Sequence, residues 1–295
     1  MFKVCIGVVL AILSLHGAGA VAHGAQAGPA RLVRETVQVA VHDTGAGEPR
    51  FRQWIDVDIL RGRARRRRPF LILLHGRAAG AAERARLELP IYPANSSYFA
   101  RLGFIVLTPL RVGYGLSGGP DVEYTGGCAF KRFAQGVAPA ADELRQVIEF
   151  AAARPDVDPA HGILVGESFG GLVALAAAAA HDPGVVAAVN IAGGDGGDSL
   201  NRPDNPCRPD QLRRTFARYG RTSRVPTLWM YSANDRLWGP RFPRQWYRAF
   251  VEAGGAGRFV ELPADKNNGH FIFDRNAKAW HPAFRRFLAS IKSRM

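Results

Sequence analysis

Lysine is scarce in this chain: only five of its 39 basic residues are Lys, and the rest are Arg. No glycine-rich loop closes on a Lys-Ser or Lys-Thr pair, which excludes P-loop nucleotide chemistry. No cluster of His and Cys has zinc-ligand spacing, and no two histidines stand at helical spacing. A metal site is therefore not expected. Long apolar runs are missing as well. Residues 4–15 form an apolar stretch of 12 residues, too short to span a bilayer, so no transmembrane segment is expected. There is no internal repeat and no long linker, which argues for one domain.

What is present begins with a targeting pattern. Met1-Phe2-Lys3 gives a short positive region, the apolar stretch follows, and Ala20-Val21-Ala22 and Ala25-Gln26-Ala27 offer A-x-A cleavage sites. Residues 1–27 read as a secretory signal peptide, residues 28–295 as the mature domain, and the destination as secreted or periplasmic. Cys5 would leave with the signal. Cys128 and Cys207 remain, and an even pair in an exported protein is expected to form a disulfide.

The net charge is +14, and basic residues are densest at Arg61, Arg63, Arg65, Arg66, Arg67 and Arg68. The plain reading is a solvated hairpin turn. A weak polyanion contact is the alternative, and no specific nucleic-acid partner is expected.

Residues 35–41 and 54–60 alternate apolar and polar, as half-buried strands do. The pattern then changes. Residues 70–74 (FLILL), 104–107, 162–165, 185–191 and 227–231 are continuous apolar runs, expected of strands buried on both faces of a parallel sheet. Helical patterns separate them at 140–153, 169–180, 210–219, 244–253 and 283–291. The fold class is α/β, with a mainly parallel sheet flanked by helices. In such sheets ligands bind beyond the carboxyl ends of the strands.

The segments at those ends carry the chemistry. His75-Gly76-Arg77 follows the first buried run, and Gly166-Glu167-Ser168-Phe169-Gly170 follows the third. Asn234-Asp235 follows the last, and Gly269-His270 follows a short apolar segment at 258–262. G-x-S-x-G between a buried strand and a helix marks Ser168 as a nucleophile on a tight turn. A serine hydroxyl needs a base, and a histidine needs a carboxylate to hold its tautomer. His270 and Asp235 are the candidates. His281 is the rival base, read as a surface or capping residue next to Pro282 at a helix start. Asp195 and Asp198 are read as shaping a loop, and Asp265 and Asp274 as solvated. The oxyanion donors are expected to be the backbone N–H groups of Phe169 and Arg77, with His75 as support. The stretch Gly113-Tyr114-Gly115-Leu116-Ser117-Gly118 matches G-x-G-x-x-G. Turn-forming residues follow it, so a dinucleotide site is rejected.

Taken together, HGR, RVGYGLSGG, GESFGG, LWMYSAND and NNGH resemble the α/β-hydrolase superfamily over about residues 50–290. The sequence resembles exported dienelactone-hydrolase-like proteins and is similar to the catalytic domain of prolyl-oligopeptidase-type serine peptidases. The resemblance implies a serine hydrolase without cofactor or metal, acting on a small ester or a short peptide. It implies first strands that run antiparallel. One residue departs from the pattern: dienelactone hydrolases carry Cys at the nucleophile position, where this chain has Ser168, which puts dienelactone in doubt as substrate. Three functions follow: an ester hydrolase, a serine exopeptidase or amidase, and a non-catalytic basic envelope protein that binds polyanions. Loops 78–97, 114–130 and 195–209 are expected to wall the pocket.

Overall fold

The structure, a computed structural model, describes residues 31–44, 51–63, 66–78 and 80–295. The signal-peptide reading of residues 1–27 lies outside them. Two long strands come first, β1 (Leu32–His42) and β2 (Arg52–Gly62), paired antiparallel. Strand β3 (Arg68–Leu74), helices α1 (Ala81–Ala85) and α2 (Pro93–Arg101) and strand β4 (Ile105–Pro109) follow. Helix α3 (Phe133–Ala153), strand β5 (Val157–Glu167) and helix α4 (Phe169–Ala180) form the centre of the chain. Then come β6 (Val185–Ile191), α5 (Pro209–Thr222), β7 (Thr227–Ser232), α6 (Arg241–Glu252), β8 (Gly257–Leu262), α7 (Ile272–Arg275) and α8 (Ala277–Ser290).

The strands make one sheet in the order β1-β2-β4-β3-β5-β6-β7-β8. Strand β2 pairs antiparallel with β1 and β4, and every pair from β4 onward is parallel. Side chains alternate across the sheet. Phe70, Ile72 and Leu74 join one core cluster with residues of α3, α4, α5 and α6. Leu71 and Leu73 join the other, with Phe99 of α2 and Trp280 and Phe284 of α8. These five residues of β3, Phe70 to Leu74, have no solvent exposure, which explains their unbroken apolar run.

The arginine run is not a hairpin turn. Strand β4 lies between β2 and β3 in the sheet, so the connection crosses over rather than closing a hairpin. Arg61 lies in β2, one residue before its end, and is ion-paired to Asp156 at 3.1 Å, while Arg68 opens β3. Ala64 and Arg65 lie outside the described residues. Among those described, no helix is long and apolar enough to cross a membrane.

Candidate active site

Strands β3, β5, β6 and β7 point their carboxyl ends to one side, where four loops converge. The β5–α4 turn is the tightest. Ser168 caps α4 with φ 54° and ψ −122°, a left-handed conformation that costs a non-glycine residue on the order of 1–3 kcal/mol. The turn is held on both sides: the Ser168 N–H donates to Ile191 O at 2.9 Å, and Ser168 O accepts from Gly171 and Gly194 N–H at 3.0 and 3.2 Å. Two glycines make it feasible. A Cβ on Gly166 would strike the Gly170 carbonyl, and one on Gly170 would lie 2.5 Å from Leu74 O. Helix and strand can approach this closely only without those side chains.

The turn lifts the Ser168 hydroxyl toward His270. His270 Nε2 lies 3.0 Å from Ser168 Oγ, and His270 Nδ1 lies 3.0 Å from Asp235 Oδ2. Asp235 follows β7 and is fully buried. Its Oδ1 accepts from the N–H groups of Leu237 at 2.9 Å and Trp238 at 3.3 Å, so the carboxylate has one fixed orientation. His270 sits on a short helical turn after β8, where the Asn268 side chain accepts from the His270 N–H. Trp238 packs edge-on against the imidazole, its own indole N–H bonded to Ala192 O at 2.7 Å.

Glu167 has a role the sequence pattern did not assign. It is buried, with Oε1 3.6 Å from His270 Nε2. Its Oε2 accepts from the Tyr92 hydroxyl at 2.9 Å, and Tyr92 Oη accepts from Gly76 N–H at 3.4 Å. The chain Gly76–Tyr92–Glu167 thus ties the loop after β3 to the residue before Ser168. Burial raises the Glu167 carboxyl above the usual range, opposed by His270 and Tyr92. For His270, burial alone would lower the pKa. Asp235 outweighs that, Glu167 adds to it, and the net shift is upward.

His75 lies beneath the site. Its Nδ1 bonds Gly76 O at 2.7 Å and its Nε2 accepts from Arg111 N–H at 3.3 Å. Burial first, and then the Arg111 charge, push its pKa well below the usual value. Both its ring nitrogens are engaged, an arrangement that fits a support rather than a second base. The N–H of Phe169 is at the first turn of α4, where no intrahelical acceptor exists. The Arg77 N–H has no acceptor among the described residues. Both belong to residues that line the space beside Ser168.

The remaining candidates are elsewhere. His281 lies inside α8, stacked on Tyr98 with ring centroids 3.5 Å apart, so the helix does not start at Pro282. Asp195 accepts from Thr125 and from Lys131, and Asp198 holds a turn through Leu200 and Asn201. Asp265 is buried, bonded by Asn276 Nδ2 at 3.0 Å, and is not the solvated group the sequence suggested. Gly113–Gly118 folds into a turn closed by Gly113 N–H to Gly118 O. Cys128 and Cys207 are joined by a disulfide, Cα atoms 5.0 Å apart. The Arg202 guanidinium donates to both sulfurs. No group of three or more His, Cys, Asp or Glu that could hold a metal is found among the described residues.

Two cavities meet at Ser168. One, of about 300 Å³, is lined by Arg77, Asp121, Thr125, Lys131, Asp195 and Trp238 among others. The second, of about 480 Å³, includes Leu87, Ile91, Tyr92, His270 and Phe271. Each of the loops 78–97, 114–130 and 195–209 contributes to one or the other.

No protein-family model matches this sequence, and no curated protein matches it. Solved structures do. An acetyl xylan esterase from Paenibacillus sp. R4 aligns over 89% of this chain and 89% of its own, at TM-score 0.59 and 16% identity. A Klebsiella pneumoniae protein described as a dienelactone hydrolase aligns over 86% of this chain and 98% of its own, at TM-score 0.54 and 21% identity. A Pyrococcus horikoshii acylaminoacyl peptidase aligns over 88% of this chain but only 42% of its own, at TM-score 0.57 and 13% identity. The chain has the α/β-hydrolase fold these proteins share, and the likeness extends to the fold alone.

Proposed function

We propose that this chain is an exported serine hydrolase that cleaves carboxylic esters through an acyl-enzyme on Ser168. One observation carries the reading: a continuous line of contacts, each 3.0 Å, from Ser168 Oγ through His270 to Asp235. The folded chain aims a hydroxyl at an imidazole, and the imidazole at a carboxylate held by two backbone donors. The strain at Ser168 supports it, because such strain gathers at functional sites.

In this reading Asp235 keeps the proton on His270 Nδ1, leaving Nε2 free to accept from Ser168. Ser168 Oγ bonds to the ester carbonyl carbon as its proton passes to Nε2. The oxyanion rests on the N–H groups of Phe169 and Arg77, the first aided by the positive end of α4. The bond from carbon to the leaving oxygen then breaks, and that oxygen takes the proton from His270. Water repeats the sequence and frees the acid and Ser168. Glu167, near the same face of the imidazole, helps stabilise the imidazolium formed in each half. Export is supported by the paired cysteines, which suit an oxidising compartment.

The test is fluorophosphonate labelling of the purified chain alongside hydrolysis of phenyl acetate and an aminoacyl amide. Labelling and ester turnover are expected, with Ser168→Ala losing the label and about 10⁶ in kcat. Faster cleavage of the amide would replace the ester reading with the exopeptidase or amidase one. A folded wild-type protein with neither label nor turnover would favour the polyanion-binding reading and end this one.

A further inference from the structure

The two cavities that meet at Ser168 differ in chemistry, and the position of His270 decides which part of a substrate each receives. His270 lines only the larger cavity. In acyl transfer the leaving oxygen must reach the protonated Nε2. The alcohol of the ester therefore lies in the larger cavity, and the acyl group in the smaller one on the far side of Ser168.

The walls differ accordingly. Around the alcohol side stand Leu87, Ile91, Tyr92 and Phe271, with Arg77 and Glu167 where it meets Ser168 and with Glu83, Asp274 and Arg275 exposed at its rim. The acyl side sets paired charges among Tyr124, Phe169, Leu237 and Trp238. Arg77 holds Asp121 with two bonds of 2.7 and 2.8 Å. Lys131 and Thr125 both donate to Asp195, and Lys131 also donates to Thr125 at 2.8 Å. An alkyl acyl group entering here would strip water from these ion pairs, Arg84–Asp121 among them, and return no hydrogen bonds. A free carboxylate would need a cation without a partner, and the three cations lining this cavity, Arg77, Arg84 and Lys131, are each already bonded to a carboxylate. Hydroxyl groups fit the pattern, since each donates and accepts. We infer that the substrate joins a short, hydroxylated, uncharged acyl group to an apolar alcohol, the acyl group seated between the Arg77–Asp121 and Lys131–Asp195 pairs. This inference rests on the acyl-enzyme reading above and adds a direction and a substrate class to it.

The experiment measures kcat/KM on matched ester pairs, each normalised to its hydroxide-catalysed rate. Butyl glycerate is set against butyl 2-methylbutyrate, in which a methyl group replaces each hydroxyl. On the alcohol side, butyl glycerate is set against 3-hydroxypropyl glycerate. The first pair is expected to favour glycerate by at least roughly 10–100-fold, well inside the discrimination that a site with hydrogen-bonding groups can enforce. The second is expected to favour butyl. In Lys131→Met/Asp195→Leu the first ratio should fall to one or below, while the second keeps its sign. Equal rates, or a preference for the alkyl acid, with phenyl acetate still hydrolysed and fluorophosphonate still bound, would overturn the inference and leave the serine hydrolase standing. Loss of label and of all ester turnover in the folded wild type would remove both.

Discussion

Replacing Asp235 with Asn tests the site at its most constrained point. The substitution keeps size and shape, so the outcome turns on which way the amide faces. Oδ1 accepts two backbone N–H groups, from Leu237 and Trp238. Turning the NH2 toward them would leave both buried donors unpaired, at about 1–3 kcal/mol each. The carbonyl oxygen therefore takes the Oδ1 position, and the NH2 faces His270 Nδ1. That nitrogen must then accept, which moves the imidazole proton to Nε2, where it blocks transfer from Ser168. The expected loss is about 10⁴ in kcat, or about 5 kcal/mol at 1.36 kcal/mol per tenfold. Phenyl acetate hydrolysis under saturating substrate reads it, with thermal unfolding run in parallel to show the fold intact. A folded Asp235→Asn protein that keeps more than a tenth of wild-type kcat would refute the assignment of Asp235 as the residue that sets the tautomer.

Other expectations concern pH, packing and the disulfide. Because Asp235 and Glu167 raise the His270 pKa against the effect of burial, kcat/KM should rise with pH through a midpoint above about 6.5, and Glu167→Gln should move that midpoint down; an unchanged midpoint removes Glu167 from the imidazolium's surroundings. The linked stability runs the other way: with the folded pKa raised, the His270 contribution is complete below its unfolded value and fades as pH climbs through the folded one, which denaturant titrations across that window can follow. Gly166→Ala puts a methyl group against the Gly170 carbonyl and should cost roughly 1–3 kcal/mol of stability along with most of the activity; wild-type behaviour in both would show the turn to be less constrained than described. Reducing Cys128–Cys207, which are 79 positions apart, should remove on the order of 4 kcal/mol and lower Tm by about 10 °C, with a raised KM because both loops wall the smaller cavity; two alkylatable thiols in protein from an oxidising compartment would show the bond is not formed.

The sheet was legible because burial on both faces leaves little room for polar residues. The FLILL run and its counterparts at 185–191 and 227–231 coincide with β3, β6 and β7 within two residues. Helix starts were harder. Pattern reading begins the third helix at residue 140, but α3 starts at Phe133, because Gly136 and Pro139 mimic a loop while packing closes around them. Pro282 had the same effect on α8, which begins at Ala277. Helix α2 escaped altogether, since it buries Asn95 and Ser96, and the Asn95 amide donates to Phe273 O, 178 positions away. The site residues that follow buried strands could be picked out by position. The Tyr92–Glu167 bond spans 75 positions, joins two residues of no shared motif, and leaves no periodic trace.

The disulfide lies on one side of Ser168 only. The polar cavity has part of its wall stapled through Cys128 and Cys207, while residues 80–92, most of whose lining side chains face the apolar cavity, carry no such staple. In the proposed two-stage reaction the chemistry itself would release the alcohol first, and this asymmetry would set only its route. The alcohol would leave past the wall without a staple, while the acyl group stayed behind the stapled one. Water then enters by the route the alcohol has vacated, and so would any added alcohol. The acyl-enzyme would partition between the two, and the ratio of acid to new ester would be the same whichever leaving group the substrate had carried in.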